Sequence, residues 1–519
     1  PAVALGLLLS TQACAPRAAA PPETPTAAQP EAEEPPAETP PSETARLAPD
    51  QVAGPPAASC PQPAPVAERR ACADFRVHLA TALGLDPAAR DATLAELESC
   101  DEVPDGFVRA VRAELAPLGC ADALAAPWLD EHEPRAPYFD TLLALGLAGR
   151  LERLARTPPS LPAGRDKAAL QEYFQSSLFP WIEAQAGAIQ AAAQRGAALR
   201  GYDRGVVAVA AGTADMRFVE IARAVPIPTE MAADRELADI YYGGLDEALE
   251  PRKARGRDAA LVGLLELARV GVHHDRRVDD ARALIARVYG GSRMTALDAL
   301  LVPALPALDA ADADARIAAA LPSPYTSSLL GAIDWTPALI RAALERGLPV
   351  ALDRQLQSAP DAASRYLYAR AHLSSGLIFF RREDFQTADT ELARLAQLAE
   401  LPADLRADVG LCRALAVALS AGPANSIELI AKGPRFADAL GNLSLLDGLA
   451  LGAGVPAGRA AYDAAFLREL IAEPGNTATW RDLSARYQRA SQLLRGPEQK
   501  AAKERQAAAQ ATSRAVTSR

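Results

Sequence analysis

Residues 474–487 read PGNTATWRDLSARY and belong to the last of four similar segments between residues 369 and 515. Small residues recur in these segments at an interval of 36, namely at Gly376, Cys412, Gly448 and Ser484. A second set follows twelve residues after each of them, namely Ala388, Ala424, Ala460 and Gly496. Helices approach each other closely only where side chains are small, so this period predicts stacked helical hairpins. We expect the first set of small residues to face the partner helix.

The fourth segment places Trp480, Leu483, Ser484 and Tyr487 in the order W-x2-L-G-x2-Y, with Ser484 in the glycine position. This order resembles the tetratricopeptide repeat. The first segment has spacings similar to those of a tetratricopeptide hairpin at Phe379, Phe385, Ala388, Leu392 and Leu395. The resemblance implies an α-solenoid whose repeat surface binds protein partners. An irregular helical bundle is the alternative.

Composition predicts an all-α fold. Half of the 519 residues are hydrophobic but only 5% are aromatic, so alanine, leucine and valine must fill the core. Alanine and leucine favour helices, and alternation typical of strands is scarce. The formal net charge of −11 argues against nucleic acid as a general partner.

The chain divides by composition into five segments. We expect a truncated signal peptide, a disordered tether, a cysteine-containing helical domain, a second helical domain and the repeats. The corresponding ranges are 1–13, 14–58, 59–163, 164–325 and 326–519.

The N-terminal stretch suggests an address in the cell envelope. The apolar run 2–9 has the length of a signal-peptide core, and Thr11-Gln12-Ala13-Cys14 resembles a bacterial lipobox. The resemblance implies lipidation of Cys14, and Ala15 after it implies the outer membrane. An ordinary secretory signal, cut near Ala13 or Ala20, is the alternative. Residues 15–58 contain 12 prolines and no aromatic residue, which is typical of an extended, solvated tether.

Four cysteines fall within 61 residues and predict two disulfides. Cys60, Cys72, Cys100 and Cys120 contain no Cys-x-x-Cys, so a zinc ribbon is not expected. Residues 72–84 and 87–100 read as two helices, and antiparallel packing would place Cys72 beside Cys100. Cys60 is then left for Cys120. In an oxidising compartment these disulfides are favoured over the alternative of four buried thiols.

Three charged clusters are candidates for sites. Asp130-Glu131-His132-Glu133 precedes a proline and is interpreted as a loop. We expect His273-His274-Asp275 to be solvent-exposed turn residues, because adjacent histidines cannot share one helical face.

The densest basic cluster, Arg252, Lys253, Arg255 and Arg257, follows Pro251, which we expect to end the helix 234–249. Two interpretations are possible for this cluster. Its residues are either cations at a helix end that pair with nearby acidic residues, or they form a site for an anionic partner such as lipid headgroups.

No catalytic elbow, P-loop, dinucleotide fingerprint or His-Glu-x-x-His occurs in the sequence. We therefore expect no cofactor, no metal and no enzymatic activity. The leading hypothesis is a lipid-anchored envelope scaffold that binds protein partners through its repeats. The alternatives are a cell-wall enzyme of the lytic transglycosylase type and a structural spacer without a specific ligand.

Overall fold

The computed structural model describes residues 52–65, 68–129, 138–289, 293–305, 312–357, 361–431 and 440–517, all within one compact unit, Leu47–Arg519. Cys14, the apolar run and most of the tether lie outside the described residues, as does Asp130-Glu131-His132-Glu133. No described helix is long and apolar enough to cross a membrane.

The regular structure is helical, which confirms the all-α prediction. Among the described residues, backbone pairing of the β type is limited to two isolated bridges, Arg70–Cys100 and Val272–Gly347. The high alanine and leucine content explains this outcome, because these residues lose little conformational freedom in a helix.

The cysteine-containing part begins with a hairpin of two helices. Asp86 accepts hydrogen bonds from the backbone N–H groups of Ala88 and Ala89, and Pro87 occupies the first turn, so the second helix starts where the sequence predicts. The helices of this part are α1 (Phe75–Leu83), α2 (Pro87–Leu97), α3 (Phe107–Leu115), α4 (Ala121–Leu129) and α5 (Phe139–Arg153).

The central part is built on two long antiparallel helices, α8 and α10. Its elements are α6 (Lys167–Tyr173), a π-helix (Phe174–Leu178), α7 (Phe179–Ala197), α8 (Gly201–Ala224), α9 (Thr229–Ala232), α10 (Arg235–Arg269), α11 (Arg276–Val288) and a 3-10 helix (Arg293–Ala299). A Cβ atom on Gly263 would lie 2.6 Å from the backbone nitrogen of Val209. The two backbones can touch only because glycines stand at their crossing.

One helix boundary in this part was predicted wrongly. Pro251 does not end the helix, since α10 continues through it to Arg269. Pro251 is exposed, whereas Leu249 and Gly256 on either side of it are buried. Packing on both sides of the proline thus offsets the loss of one backbone hydrogen bond.

Four shorter helices follow, and they connect the N-terminal part to the rest of the core. Their ranges are α12 (Ala313–Ala320), α13 (Ser323–Leu330), α14 (Pro337–Ala343) and α15 (Val350–Leu356). Arg76 on α1 pairs with Asp314 on α12 at 3.0 Å. Tyr138 donates a hydrogen bond to the Ser328 hydroxyl on α13 at 2.8 Å. These polar contacts connect segments that are far apart in sequence. The buried apolar residues of the same segments belong to one continuous core.

The C-terminal part contains eight helices among the described residues. They are α16 (Ala362–Phe379), α17 (Arg382–Ala396), α18 (Ala403–Leu419), α19 (Ser426–Ala431), α20 (Ser444–Ala450), α21 (Gly454–Glu469), α22 (Thr477–Leu493) and α23 (Gly496–Thr517). Most neighbours in this series pack against each other, but α19 packs against α10 and the 3-10 helix instead.

The small-residue pattern holds at only some of its positions. Gly376 lies against Phe385, and Cys412 and Ser484 are buried. Gly448 was expected to face a partner helix, but it is exposed and a Cβ there would meet nothing within 4 Å. Ala424 and Gly496 are exposed as well. The prediction was therefore wrong at Gly448, because α20 packs through Leu446 and Ala450 and leaves Gly448 on its solvent side.

Candidate functional site

Two disulfides fasten the N-terminal helices. Cys72 and Cys100 are bonded across the α1–α2 hairpin with their Cα atoms 5.5 Å apart. Cys60 and Cys120 are bonded with Cα atoms 5.3 Å apart. Both pairings agree with the prediction. The remaining described cysteine, Cys412, is a buried free thiol.

A groove of about 770 Å³ lies beside these disulfides, and we call it the Trp128 groove. Its walls come from the chain before α1, the end of α2, the loop before α3, α3 itself and the end of α4. Its lining includes Ala64, Pro65, Arg69, Glu98, Arg109 and Trp128. The Arg109 guanidinium stands 4.8 Å from the centre of the Trp128 ring. This contact fixes the aromatic side chain on one wall.

Several charges of the groove are paired within the protein, whereas Glu96 at its edge is exposed. Arg109 binds Glu98 through Nε at 2.8 Å and Nη2 at 2.6 Å, and Arg69 pairs with Asp105. Behind the groove, Arg112 donates to both Glu98 and Asp91. Burial lowers the pKa of Arg112, but its hydrogen bonds with the two carboxylates raise it by more. The groove therefore presents apolar surface framed by paired charges.

A buried ionic cluster lies deeper in the molecule, away from the groove lining. Arg277, in the first turn of α11, donates to Glu114 on α3 at 2.6 Å, and Tyr202 on α8 donates to the same carboxylate at 2.5 Å. Burial raises the pKa of Glu114, but the positive charge of Arg277 and the Tyr202 hydrogen bond lower it by more. The cluster thus keeps Glu114 ionised and joins three helices.

The expectation that His273-His274-Asp275 would be solvent-exposed was wrong for His273 and Asp275, which are buried, whereas His274 is exposed. His273 is 4% exposed and packs against Phe379, and its backbone N–H donates to the carbonyl of Arg346 at 2.8 Å. Burial lowers the pKa of His273 to about 3. Asp275 caps α11 by accepting from the backbone N–H of Arg277. These residues hold a chain reversal inside the core.

Another histidine forms a cluster that sequence reasoning missed. His372 Nδ1 lies 2.8 Å from Asp384, and Nε2 lies 3.6 Å from Asp353. Arg381 and Ser375 also contact Asp384. Burial lowers the pKa of His372, but the neighbouring carboxylates of Asp353 and Asp384 raise it to about 9. The partners lie 12 and 19 residues away along the chain, so no local motif indicates the cluster.

The basic cluster is paired inside the protein. Arg252 and Arg255 both bind Asp215, at 3.0 and 2.7 Å. Lys253 and Arg257 pair with nearby acids, Glu250 at 3.5 Å and Asp258 at 2.7 Å, which agrees with the first of the two readings of the sequence. Asp215 was not foreseen, because it lies on α8 and only the α8–α10 packing brings it near. The cluster therefore fastens two helices together.

Comparison with known proteins finds no matching family model, no similar curated protein and no similar solved structure.

Proposed function

We propose that this chain is an exported helical protein of a bacterial envelope that binds a protein partner and catalyses no reaction. The Trp128 groove would hold an extended segment of that partner. The observation that carries the proposal is the groove itself, a mainly apolar surface with a fixed aromatic side chain and internally paired charges. Concave apolar surfaces with a few fixed polar groups are the usual form of a binding site.

The disulfides support export. Both pairs fall at bonding distance between elements that also pack together, and structural disulfides persist in oxidising compartments such as the periplasm. We further propose that Cys14 carries a lipid anchor in the outer membrane and that residues 15–58 tether the helical body to it. The C-terminal helices would form an irregular, tetratricopeptide-like solenoid with a binding surface separate from the groove. Mass spectrometry of the mature N-terminus tests the anchor, and an unmodified terminus other than Cys14 contradicts it.

The binding proposal is tested by photocrosslinking in the native envelope. Glu96 lines the groove and is exposed, so a photoreactive amino acid at this position should capture a discrete partner. Asp482, exposed on α22 far along the chain, is the matched position at which the same capture should not occur.

Trp128→Ala should weaken the capture at position 96 by about tenfold, because buried aromatic anchors carry much of the free energy of binding at such surfaces. Trp480→Ala is the control, since Trp480 is also a partly exposed tryptophan but lies on α22. Equal capture by both variants, with folding verified by circular dichroism, contradicts the proposal. Release of soluble cell-wall fragments by the purified chain would instead favour the transglycosylase alternative.

A further inference from the structure

The two halves of α10 differ in their surroundings. From Leu249 onwards the helix contributes buried residues to the core, whereas no residue of 235–248 is buried. The neighbouring helix α8 ends at Ala224, and Arg223 near that end pairs with Asp246. The preceding ten residues of α10 extend past the end of α8 by about 15 Å at 1.5 Å per residue. We call residues 235–248 the α10 overhang.

The overhang carries an apolar stripe on the side away from the core. Leu237, Ile240, Gly244 and Ala248 recur at three and four residues, the spacing of one helical face. Leu237 is 40% exposed and Ile240 is 61% exposed. Leu249, which faces the core, follows Leu237 by twelve residues, and twelve residues turn a helix by about 120° beyond three full turns. The stripe therefore lies on a different face of α10 from the residues that pack into the core.

The middle of the stripe leaves room for a second helix. A Cβ atom on Gly243 or Gly244 would meet nothing within 4 Å. Each glycine costs an exposed helix about 1 kcal/mol relative to alanine, and no packing among the described residues requires either of them. Small residues at this point would let another helix approach closely beside Ile240.

The charge around the stripe is strongly negative. Residues 234–250 contain six acidic residues and one arginine. Asp234 caps the helix, Asp246 pairs with Arg223, and Glu250 pairs with Lys253. The other three, Glu236, Asp239 and Glu247, are exposed and form no ion pair with the described part of the chain. An occupant of the stripe would thus meet three uncompensated carboxylates.

We propose that the α10 overhang docks a basic amphipathic helix of a partner protein. Leucine-like side chains of that helix would cover Leu237 and Ile240, and its lysine or arginine flanks would face the three free carboxylates. A second copy of this chain is a poor fit, because an antiparallel pair of overhangs would set Glu236 against Glu247. An anionic lipid surface is repelled by the same charges. This contact is separate from the Trp128 groove and does not depend on it.

The test uses the full chain and a labelled helical peptide of about four turns, with leucine on one face and lysine on the other. Fluorescence anisotropy should show binding about tenfold tighter than that of a scrambled peptide of the same composition. Salt should weaken the binding, since the carboxylates are exposed. Equal binding of the two peptides overturns the proposal.

Variants locate the peptide on the chain. Ile240→Asp should reduce affinity about tenfold, because it places a charge in the apolar stripe. Val262→Asp is the matched control, because Val262 is 44% exposed on the same helix but lies outside the overhang. Equal loss of affinity in both variants overturns the proposal. The triple variant Glu236→Lys, Asp239→Lys and Glu247→Lys should reverse the preference in favour of a leucine–glutamate peptide, and an unchanged preference contradicts the assigned charges.

Two other occupants are tested with the same variants. Sedimentation of the chain alone should give a monomer, and a dimer that Ile240→Asp dissociates would assign the stripe to self-association. Phosphatidylglycerol vesicles should not bind through the overhang. Vesicle binding that Ile240→Asp abolishes would assign the stripe to a membrane, and either result overturns the proposal.

Discussion

His372 is held between carboxylates from two different helices, Asp353 on α15 and Asp384 on α17. Its folded-state pKa of about 9 lies above the ordinary value near 6.5, so the protonated ring stabilises the fold. This stabilisation is complete below about pH 6.5 and is lost as the pH rises through about 9.

We predict that His372→Gln lowers the free energy of unfolding by about 1–3 kcal/mol at neutral pH, with a smaller deficit above pH 9. His78→Gln is the control, because His78 is exposed. Urea unfolding at several pH values measures both variants. A deficit that stays constant from pH 6 to pH 10 contradicts the proposed role of the imidazolium ion.

Asp463 is a buried residue whose charged form destabilises the fold. Its Oδ1 accepts from the backbone N–H of Leu301 at 2.8 Å, while Oδ2 is buried without a hydrogen-bond partner in the described residues. Burial raises the pKa of Asp463 to about 7. Its folded-state pKa exceeds the unfolded value, so the stability that the neutral carboxyl contributes is present below about pH 4 and is lost as the pH rises through about 7.

Asp463→Asn should therefore be more stable than the natural chain at pH 8 by on the order of 1–4 kcal/mol, and this advantage should shrink towards pH 5. The amide keeps an acceptor for Leu301 and carries no charge. Asp239→Asn is the control, since Asp239 is exposed. Urea midpoints at both pH values provide the measurement, and equal shifts for the two variants contradict the prediction.

Among the helices, glycines occur in two different settings. Those at the crossing of α8 and α10 allow the two backbones to touch, whereas those on the α10 overhang are exposed. A Cβ atom on Gly212 would contact the backbone nitrogen of Ala260 and lie 2.5 Å from the carbonyl oxygen of Gly256. We predict that Gly212→Ala destabilises the chain by about 1–3 kcal/mol or more, because two backbones would have to separate. Gly243→Ala on the α10 overhang should stabilise it by up to about 1 kcal/mol through helix propensity.

Thermal unfolding compares these two variants directly, since each adds the same methyl group. The same sign for both changes would show that the crossing can adjust, and it would contradict the close contact. The comparison also bears on the overhang, because a glycine that is unfavourable for the isolated chain is expected where another helix must fit.

Some of these helices and helix boundaries could be predicted from the sequence, and others could not. The all-α fold, the cysteine hairpin and the break at Gly84 could be predicted, since local propensity and turn residues determine them. The helix through Pro251 could not, because packing on both of its flanks overrides the local signal. The burial of His273 and the pairing of Asp215 with Arg252 depend on contacts between distant segments. The Trp128 groove was missed for the same reason, since its walls come from several separate segments.

At the scale of the whole molecule, the cysteines connect stability with cellular address. The Cys72–Cys100 bond closes a loop of 28 residues, and the Cys60–Cys120 bond closes a loop of 60 residues. Loop-closure entropy gives each bond about 4 kcal/mol of stability. The second bond also anchors Ala64 and Pro65, which line the Trp128 groove.

Replacing Cys60 and Cys120 by serine should therefore lower the unfolding midpoint and expose this wall of the groove to protease.

The oxidation state of these cysteines tests where the chain resides. We predict that denatured but unreduced chain from its native cells is alkylated at Cys412 and is protected at Cys60, Cys72, Cys100 and Cys120 until a reductant is added. Cys412 is the internal control, because it is buried and free in the folded chain and becomes accessible in denaturant. Peptide mass spectrometry reads each position separately. Alkylation of all four bridge cysteines without reductant would place the chain in a reducing compartment, and the export proposal would then fail together with the lipid anchor.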